Sequence, residues 1–367
     1  MRTAFVVFSG YNDRAVIAFL RSLRRHHVDC FIVANGGKDR IFCTPYGRFV
    51  ACVRDCPALS RENIAEALDA VVVAAPGRRL IYAPSTEALN RFFLENRDLL
   101  DSRGIELPLV DECLYSALSD KQSFGTLCCS HGILVPGELS NPEECSVPFV
   151  AKPVSYDIAA PVAPILVMTE ADRSRLLAMP QVSRLYFQQF VDGRSLYLLL
   201  HVAKDGRVLS FSQENLVQQP NGKSIIAAIA SDFHLDTQAG AFVEMLKGVR
   251  FHGLIMIEVR FNDDGCYMIE ANPRFWGPSQ LFVDAMAFDL FDAFLADLGI
   301  DSSAPKDTPV QGRYFWLEGL ISTLKSGGRP VLHNYDCEQL SRDFSAWVAS
   351  DVYGREDTKK IFSGIFD

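Results

Sequence analysis

Two glutamates, Glu258 and Glu270, fall within residues 253–277, with Asn272 and Arg274 just downstream of the second. The β-rich runs that carry them flank Asp263-Asp264-Gly265, a three-residue hairpin loop ending in a glycine free to take a positive φ. With Asn262 paired to Cys266, Glu258 falls opposite Glu270, and the period of two puts Asn272 on the same face. The other face then carries Ile255, Ile257, Val259 and Phe261 against Tyr267, Ile269 and Ala271. Carboxylates opposed across a strand pair repel unless a counter-charge offsets them. A hard divalent cation such as Mg²⁺ would do so: two carboxylates and an amide oxygen are oxygen donors, and Mg²⁺ completes its shell with water and phosphate. Arg274 would bring a fork of donors to the same anion. A plainer alternative is that Arg260 and Arg274 form surface ion pairs with these acids.

Two lysines upstream fit the same anion. Lys152 closes an apolar β-type run and precedes a proline, so its ammonium would emerge at a strand end where a polyphosphate could meet it. Lys121 stands in the first turn of a helix capped by Ser119, where a cation gains nothing from the helix dipole. Each alone reads as a surface lysine.

Glu258 followed by Glu270-Ala271-Asn272-Pro273-Arg274-Phe275 resembles the metal-binding signature of the ATP-grasp superfamily, in particular its carbamoyl-phosphate-synthase-like and biotin-carboxylase-like branches. The resemblance extends in order over 119–277. Ser119-Asp120-Lys121 and the stretch 132–136 are similar to the segment that introduces the ATP-binding half. Residues 148–153 resemble the strand whose lysine touches the nucleotide phosphates, and 185–193 the hinge that reads adenine. What this implies is ATP with Mg²⁺, or Mn²⁺ in its place, and metal ligands Glu258, Glu270 and Asn272. Lys121, Lys152, Gln188, Gln189, Phe190 and Val191 would be the nucleotide contacts. The backbone of Gln189 and Val191 would meet the adenine edge, and Arg274 and Lys152 would act in catalysis. The implied reaction joins a small-molecule carboxylate to an amine through an acylphosphate, with release of ADP and phosphate. A kinase or carboxylating step, or a non-catalytic nucleotide-binding regulator, remains the alternative.

The departures are specific. Residues 153–161 contain no glycine where related proteins carry a glycine-rich phosphate-covering loop, so Ser155 is the donor left there. Gln189 stands where glutamate is frequent. Residues 213–223 lack the arginine frequent in the acceptor segment and read otherwise as a polar hairpin or loop.

The elements that would position these groups follow from the rest of the chain. With 367 residues, 49% of them hydrophobic, there is enough to bury substantial cores in two or three subdomains. Residues 3–8, 30–34, 70–75 and 80–83 read as buried strands among helices, which predicts a parallel sheet covered on both faces. It has no G-x-G-x-x-G fingerprint. The turns at 9–13 and 85–87 should face the catalytic half and hold the second substrate, or else Asn12 and Ser85 simply cap helices. Residues 278–298 read as one apolar helix and 312–317 as a late strand. The fold class is α/β and α+β: a Rossmann-like pre-ATP-grasp domain over 1–118, a small ATP-grasp lobe over 119–192, a large lobe over 193–328 and an extension over 329–367. A net charge of -9 opposes nucleic-acid or anionic-membrane binding. No run has the order of a signal peptide or the length of a membrane span, so a cytoplasmic location is expected. The ten cysteines lack zinc-like spacing and are expected to be mostly reduced core residues. By resemblance a homodimer is expected.

Overall fold

The computed structural model describes residues 2–153, 164–304 and 312–366. Near the N-terminus, strands β1 (Thr3–Phe8), β2 (Asp29–Ala34), β3 (Val50–Val53), β4 (Arg79–Tyr82) and β5 (Ile105–Glu106) form a parallel sheet in the order β3-β2-β1-β4-β5. Alternation along β1 serves both faces. Ala4, Val6 and Phe8 pack with Ile64, Leu68 and Val71, whereas Phe5 and Val7 pack with Phe19 and Leu23 of the helix Asp13–Arg25. The strand expected at 70–75 is instead the end of a helix, Arg61–Ala74. Ser60 caps it, Ile64, Leu68 and Val71 recur at helical spacing and are buried, and Val73 is left 81% exposed. Helical periodicity outweighs the β preference of Val71-Val72-Val73.

A second, antiparallel sheet holds β6 (Glu138–Leu139), β7 (Phe149–Pro153), β8 (Ile165–Val167) and β9 (Leu185–Gln189) in the order β6-β9-β7-β8. Phe149, Ala151, Val167, Leu185 and Phe187 make its own core. Lys152 beside Tyr186 and Val150 beside Gln188 therefore occupy the opposite face. The glycine-free stretch 154–161, with Ser155, lies outside the described residues.

The large sheet is antiparallel: β10 (Arg194–Val202), β11 (Val208–Gln218), β12 (Ile225–Ser231), β13 (Gly253–Asn262), β14 (Gly265–Asn272), β15 (Arg313–Phe315) and β16 (Val331–Leu332). Its order is β14-β13-β10-β11-β12-β15, with β16 beside β11. One face packs on the helices Glu112–Ser119, Lys121–Ser130 and Thr237–Gly248. Part of the other shares a core with the helix Asp13–Arg25, where Phe19 meets Phe275 at a centroid distance of 4.6 Å. The polar stretch from 213 is mostly strand, since β11 runs to Gln218 before turning.

Three further expectations change. Residues 278–298 contain two short helices, Gln280–Ala285 and Leu290–Asp297, because Asp289 breaks the run and caps the second through Phe291 N and Asp292 N. Residues 312–317 give only β15, and Leu317 already opens the helix Leu317–Lys325. All ten cysteines are free, but only Cys30, Cys128, Cys145 and Cys266 are buried. The C-terminal segment is part of the body: Val352, Tyr353 and Ile361 join the core under the first sheet, and Arg21 pairs with Asp357 at 2.8 Å. Among the described residues no helix is long and apolar enough to cross a membrane.

Candidate functional site

The acid pair forms as expected, by a different route. The hairpin turn has two residues, Asp263-Asp264, and Asn262 pairs with Gly265. That alone would move Glu270 off its partner, but Ile269 bulges out of β14 and restores Glu258↔Glu270 as direct neighbours. The bulge also changes which residues face the core: Cys266, Met268 and Ala271 are buried with Ile255, Ile257 and Val259, whereas Tyr267 and Ile269 are only half-buried.

Beside the pair, Asn272 and Arg274 form a chain of hydrogen bonds. Asn272 donates from Nδ2 to Glu270 Oε1 at 3.0 Å and accepts at Oδ1 from Arg274 Nη2 at 2.8 Å. Arg274 also donates to Phe275 O, so of the two arginines in the ion-pair alternative only Arg260 approaches an acid, at 3.8 Å from Glu258 Oε1. Phe275 N donates to Pro84 O at 2.9 Å, and Asn12 Nδ2 donates to Phe275 O and Ser85 O. Asn12 thus ties the turn after β1 to the hairpin rather than capping a helix with its side chain; at φ 52° it sits in the left-handed region that asparagine tolerates. Ser85 is not a cap either, because Thr86 accepts from Leu89 N. Nor is Ser119: Asp120 caps the helix Lys121–Ser130 through Ser123 N, and Ser119 ends the helix before it.

The two lysines reach the acids from different elements, Lys121 from the start of the helix that packs on the large sheet and Lys152 from β7 of the small sheet. Lys121 Nζ lies 2.8 Å from Glu270 Oε2, and Lys152 Nζ approaches Ile269 O at 3.4 Å. Burial drives the Glu258 carboxyl up, Glu270 opposite adds to this, and the nearby cations do not cancel it. Glu270 is half-buried, and Lys121 and the Asn272 amide hold it below the ordinary carboxylate range. Lys121 is raised, its own burial being outweighed by Glu270. Burial, reinforced by Lys121, pushes Lys152 down to about 8. A buried carboxyl and a buried ammonium, each beside a half-buried group of its own sign, mark a place arranged for charge rather than for stability.

Among the described residues no group of three or more His, Cys, Asp and Glu side chains gathers as a metal cage. Glu258, Glu270 and Asn272 remain a set of oxygen donors on adjoining strand positions, with one carboxyl that burial and its neighbour push above the ordinary carboxylate range. That matches a cation which takes few protein ligands and shares phosphate oxygens. To ligate, Asn272 Oδ1 would have to leave Arg274.

No family model matches the chain, and no curated protein matches it in sequence. Solved structures do match in fold. Pyruvate carboxylase from Rhizobium etli superposes with a TM-score of 0.59 at 17% identity, over 85% of this chain and 30% of that one. L-amino acid ligase from Bacillus licheniformis gives 0.59 at 16% identity, over 84% and 75%. The biotin carboxylase domain of Hydrogenobacter thermophilus 2-oxoglutarate carboxylase, in complex with MgADP, ADP and bicarbonate, gives 0.58 at 13%, over 85% and 72%. The chain has the ATP-grasp fold. It spans less than a third of the pyruvate carboxylase and about three quarters of the other two.

Within this ATP-grasp frame the expected hinge residues divide. Gln188 is buried on the Lys152 face, where Nε2 donates to Pro136 O and Oε1 is buried with no donor among the described residues. Gln189 and Phe190 turn away and line a separate depression with 138–148. The Gln189 N–H is already given to Gly137 O at 2.8 Å, which leaves its amide unavailable to a base. Val191 is half-buried in the crossing between lobes.

A cavity of about 590 Å³ opens beside the acid pair, between the turns after β1 and β4 and the large sheet. Glu270, Asn272 and Arg274 line it, as do Asn12 and Glu87 from the turns expected to face the catalytic half. Lys223, the last residue of the stretch 213–223, also lines it, as do Arg14 and Trp276, which the sequence did not mark. Gly277, against which Arg14 packs so closely that a Cβ would lie 2.9 Å from Nη2, was the local signal for that approach.

Proposed function

We propose that the protein is an ATP-dependent carboxylate–amine ligase that works through an acylphosphate, with release of ADP and phosphate. The observation that carries this is the pair Glu258 and Glu270 on the large sheet, met by Lys121 from the helix packed on that sheet and by Lys152 from the small sheet. On this reading 1–118 form the pre-ATP-grasp domain, 119–192 and 193–328 the two lobes, and 329–367 an extension.

Phosphoryl transfer to a carboxylate oxygen depends on positioning and on neutralising charge, both of which these residues supply. Glu258, Glu270 and Asn272 would hold Mg²⁺ or Mn²⁺, which when bound supplies charge neutralisation at the phosphate oxygens. Lys152, with its depressed basicity, is placed to regain a full proton next to a polyphosphate. Lys121 would turn from Glu270 towards the same anion. Arg274, anchored through Phe275, presents its guanidinium to the developing charge. Gln188 Oε1 is an acceptor able to meet the exocyclic amine of a purine, in place of the Gln189 amide.

The amine then takes the acyl group. ADP formation measured against amino acids and dipeptides, for wild type and Glu270→Gln, tests the reading: turnover needing both an acid and an amine, and lost in the variant, supports it. Equal turnover by both proteins removes the metal assignment. A carboxylating step is the second reading, supported by likeness to a biotin carboxylase domain bound to MgADP and bicarbonate. ¹⁸O-labelled bicarbonate separates the two, because only carboxylation would transfer its label to phosphate.

A further inference from the structure

Three cations line the cavity beside the acid pair, and none has an acidic partner among the described residues. Arg274 bonds only to Asn272 Oδ1 and Phe275 O. Arg14 gives its Nη hydrogens to Ile225 O, Tyr314 Oη and Ser224 Oγ, all neutral, and stacks 3.8 Å from the Trp316 ring centroid. Lys223, exposed at the turn between β11 and β12, lends only its carbonyl, to Gln218 Nε2. The acids at the cavity, by contrast, are occupied: Glu87 by Arg91 at 2.9 Å and Glu270 by Lys121. The wall therefore carries excess positive charge.

A fourth group points to the same kind of ligand. The Trp276 indole N–H is a donor only, its residue is 1% exposed, and it has no acceptor among the described residues. A buried donor of this kind is costly unless something entering the cavity accepts from it.

Resting on the ligase reading above, Arg274 serves the triphosphate and the carboxylate being phosphorylated, which leaves Arg14, Lys223 and the Trp276 N–H for another anionic group. We propose that the cavity selects a small dicarboxylate, one carboxylate at Arg274 for activation and the second held by Arg14, Lys223 and Trp276. Arg14 is the rigid half of this clamp, fixed by the stack and three bonds. Lys223, on its turn, is the adjustable half. A cavity of about 590 Å³ accommodates such a molecule beside a triphosphate end.

Calorimetric titration of glutarate against butyrate, in the presence of magnesium and a non-hydrolysable ATP analogue, tests this. Wild type should bind glutarate at least tenfold more tightly than butyrate. Lys223→Gln, an exposed change that costs no internal contact, should cut that preference to threefold or less and leave analogue affinity unchanged. Arg14→Gln should act in the same direction, and since it can disturb the fold, Lys223→Gln decides. Equal affinity for the two acids, or a preference that survives in Lys223→Gln, overturns the proposal. Inorganic phosphate competing with glutarate at equal strength also overturns it, as the site would then be a general anion site. ADP assays separate the outcomes: a glutarate preference without turnover keeps this site and removes the ligase reading, and turnover with butyrate equal to glutarate does the reverse.

Discussion

Lys121 Nζ lies 2.8 Å from Glu270 Oε2 and so partly neutralises the acid pair that β13 and β14 bring together. Without it, Arg260 and Lys152 would be left to offset the repulsion of the two carboxylates. Lys121→Met should lower stability in the absence of metal by about 1–3 kcal/mol, the cost of leaving a half-buried carboxylate without its ammonium partner. Mg²⁺ should then raise the melting temperature of the variant more than that of wild type, because the ion takes over the lost positive charge. Scanning calorimetry with and without Mg²⁺ checks this, and equal increments would mean that ammonium and ion occupy different places.

Lys152 carries the opposite trade. Burial and Lys121 hold it at about 8, below its ordinary 10.5, so between these values the unfolded chain binds the proton and the folded one does not. Stability must therefore rise with pH across about 8 to 10.5, and the penalty is fully present below 8. Lys152→Met should remove that slope and stabilise the nucleotide-free protein at neutral pH by about 1–2 kcal/mol, while weakening MgATP binding at least tenfold. Denaturation midpoints across the alkaline range give the first result and nucleotide titration the second. A destabilised variant with unchanged nucleotide affinity would assign Lys152 to the core alone.

Glu258 is driven above the ordinary carboxylate range by burial and then by Glu270, so a cation that needs it ionised must displace its proton. Mg²⁺ uptake should release protons, and apparent affinity should improve as pH rises from acid towards neutrality. Calorimetry in two buffers of different ionisation enthalpy measures the proton count directly. Glu258→Gln should abolish both the heat and the release, and metal uptake independent of pH would place the ion elsewhere.

The acid pair was legible in the sequence because two departures cancel. A turn one residue shorter than expected shifts the register, and the Ile269 bulge shifts it back at Glu270 but not nearer the turn. For that reason the glutamates are placed correctly while Tyr267 and Ile269 change faces. The parallel sheet was legible from its buried runs, except where β-branched residues at 71–73 disguised a helix. What could not be read were contacts between distant segments. Asn12 meets Phe275 across 263 positions and Arg14 meets Tyr314 across 300, and neither residue type announces such a partner. The C-terminal segment matched no motif because its role is packing and pairing, visible only once β16 lies beside β11.

One residue of that segment reaches towards the acid pair. His333, just past β16, accepts at Nδ1 from Arg260 Nη1 at 3.1 Å, and its Nε2 donates to Gln218 Oε1 at 3.0 Å, a pattern that requires the neutral ring. Arg260 in turn stands 3.8 Å from Glu258. Burial, aided by Arg260, lowers His333 to about 4 from 6.5, so between these values the unfolded chain binds a proton that the folded chain refuses. Its contribution is intact above 6.5 and is lost as pH falls towards 4. His201, also held at about 4 by burial, titrates in the same window, and so removing His333 should reduce the acid slope without abolishing it. His333→Asn should flatten the loss of stability between those limits, and denaturant unfolding at a series of pH values would show it. Because Arg260 also loses its acceptor, the variant should further alter the pH dependence of Mg²⁺ uptake at Glu258. A variant with the wild-type acid slope would mean that His333 takes up a proton without disturbing Arg260.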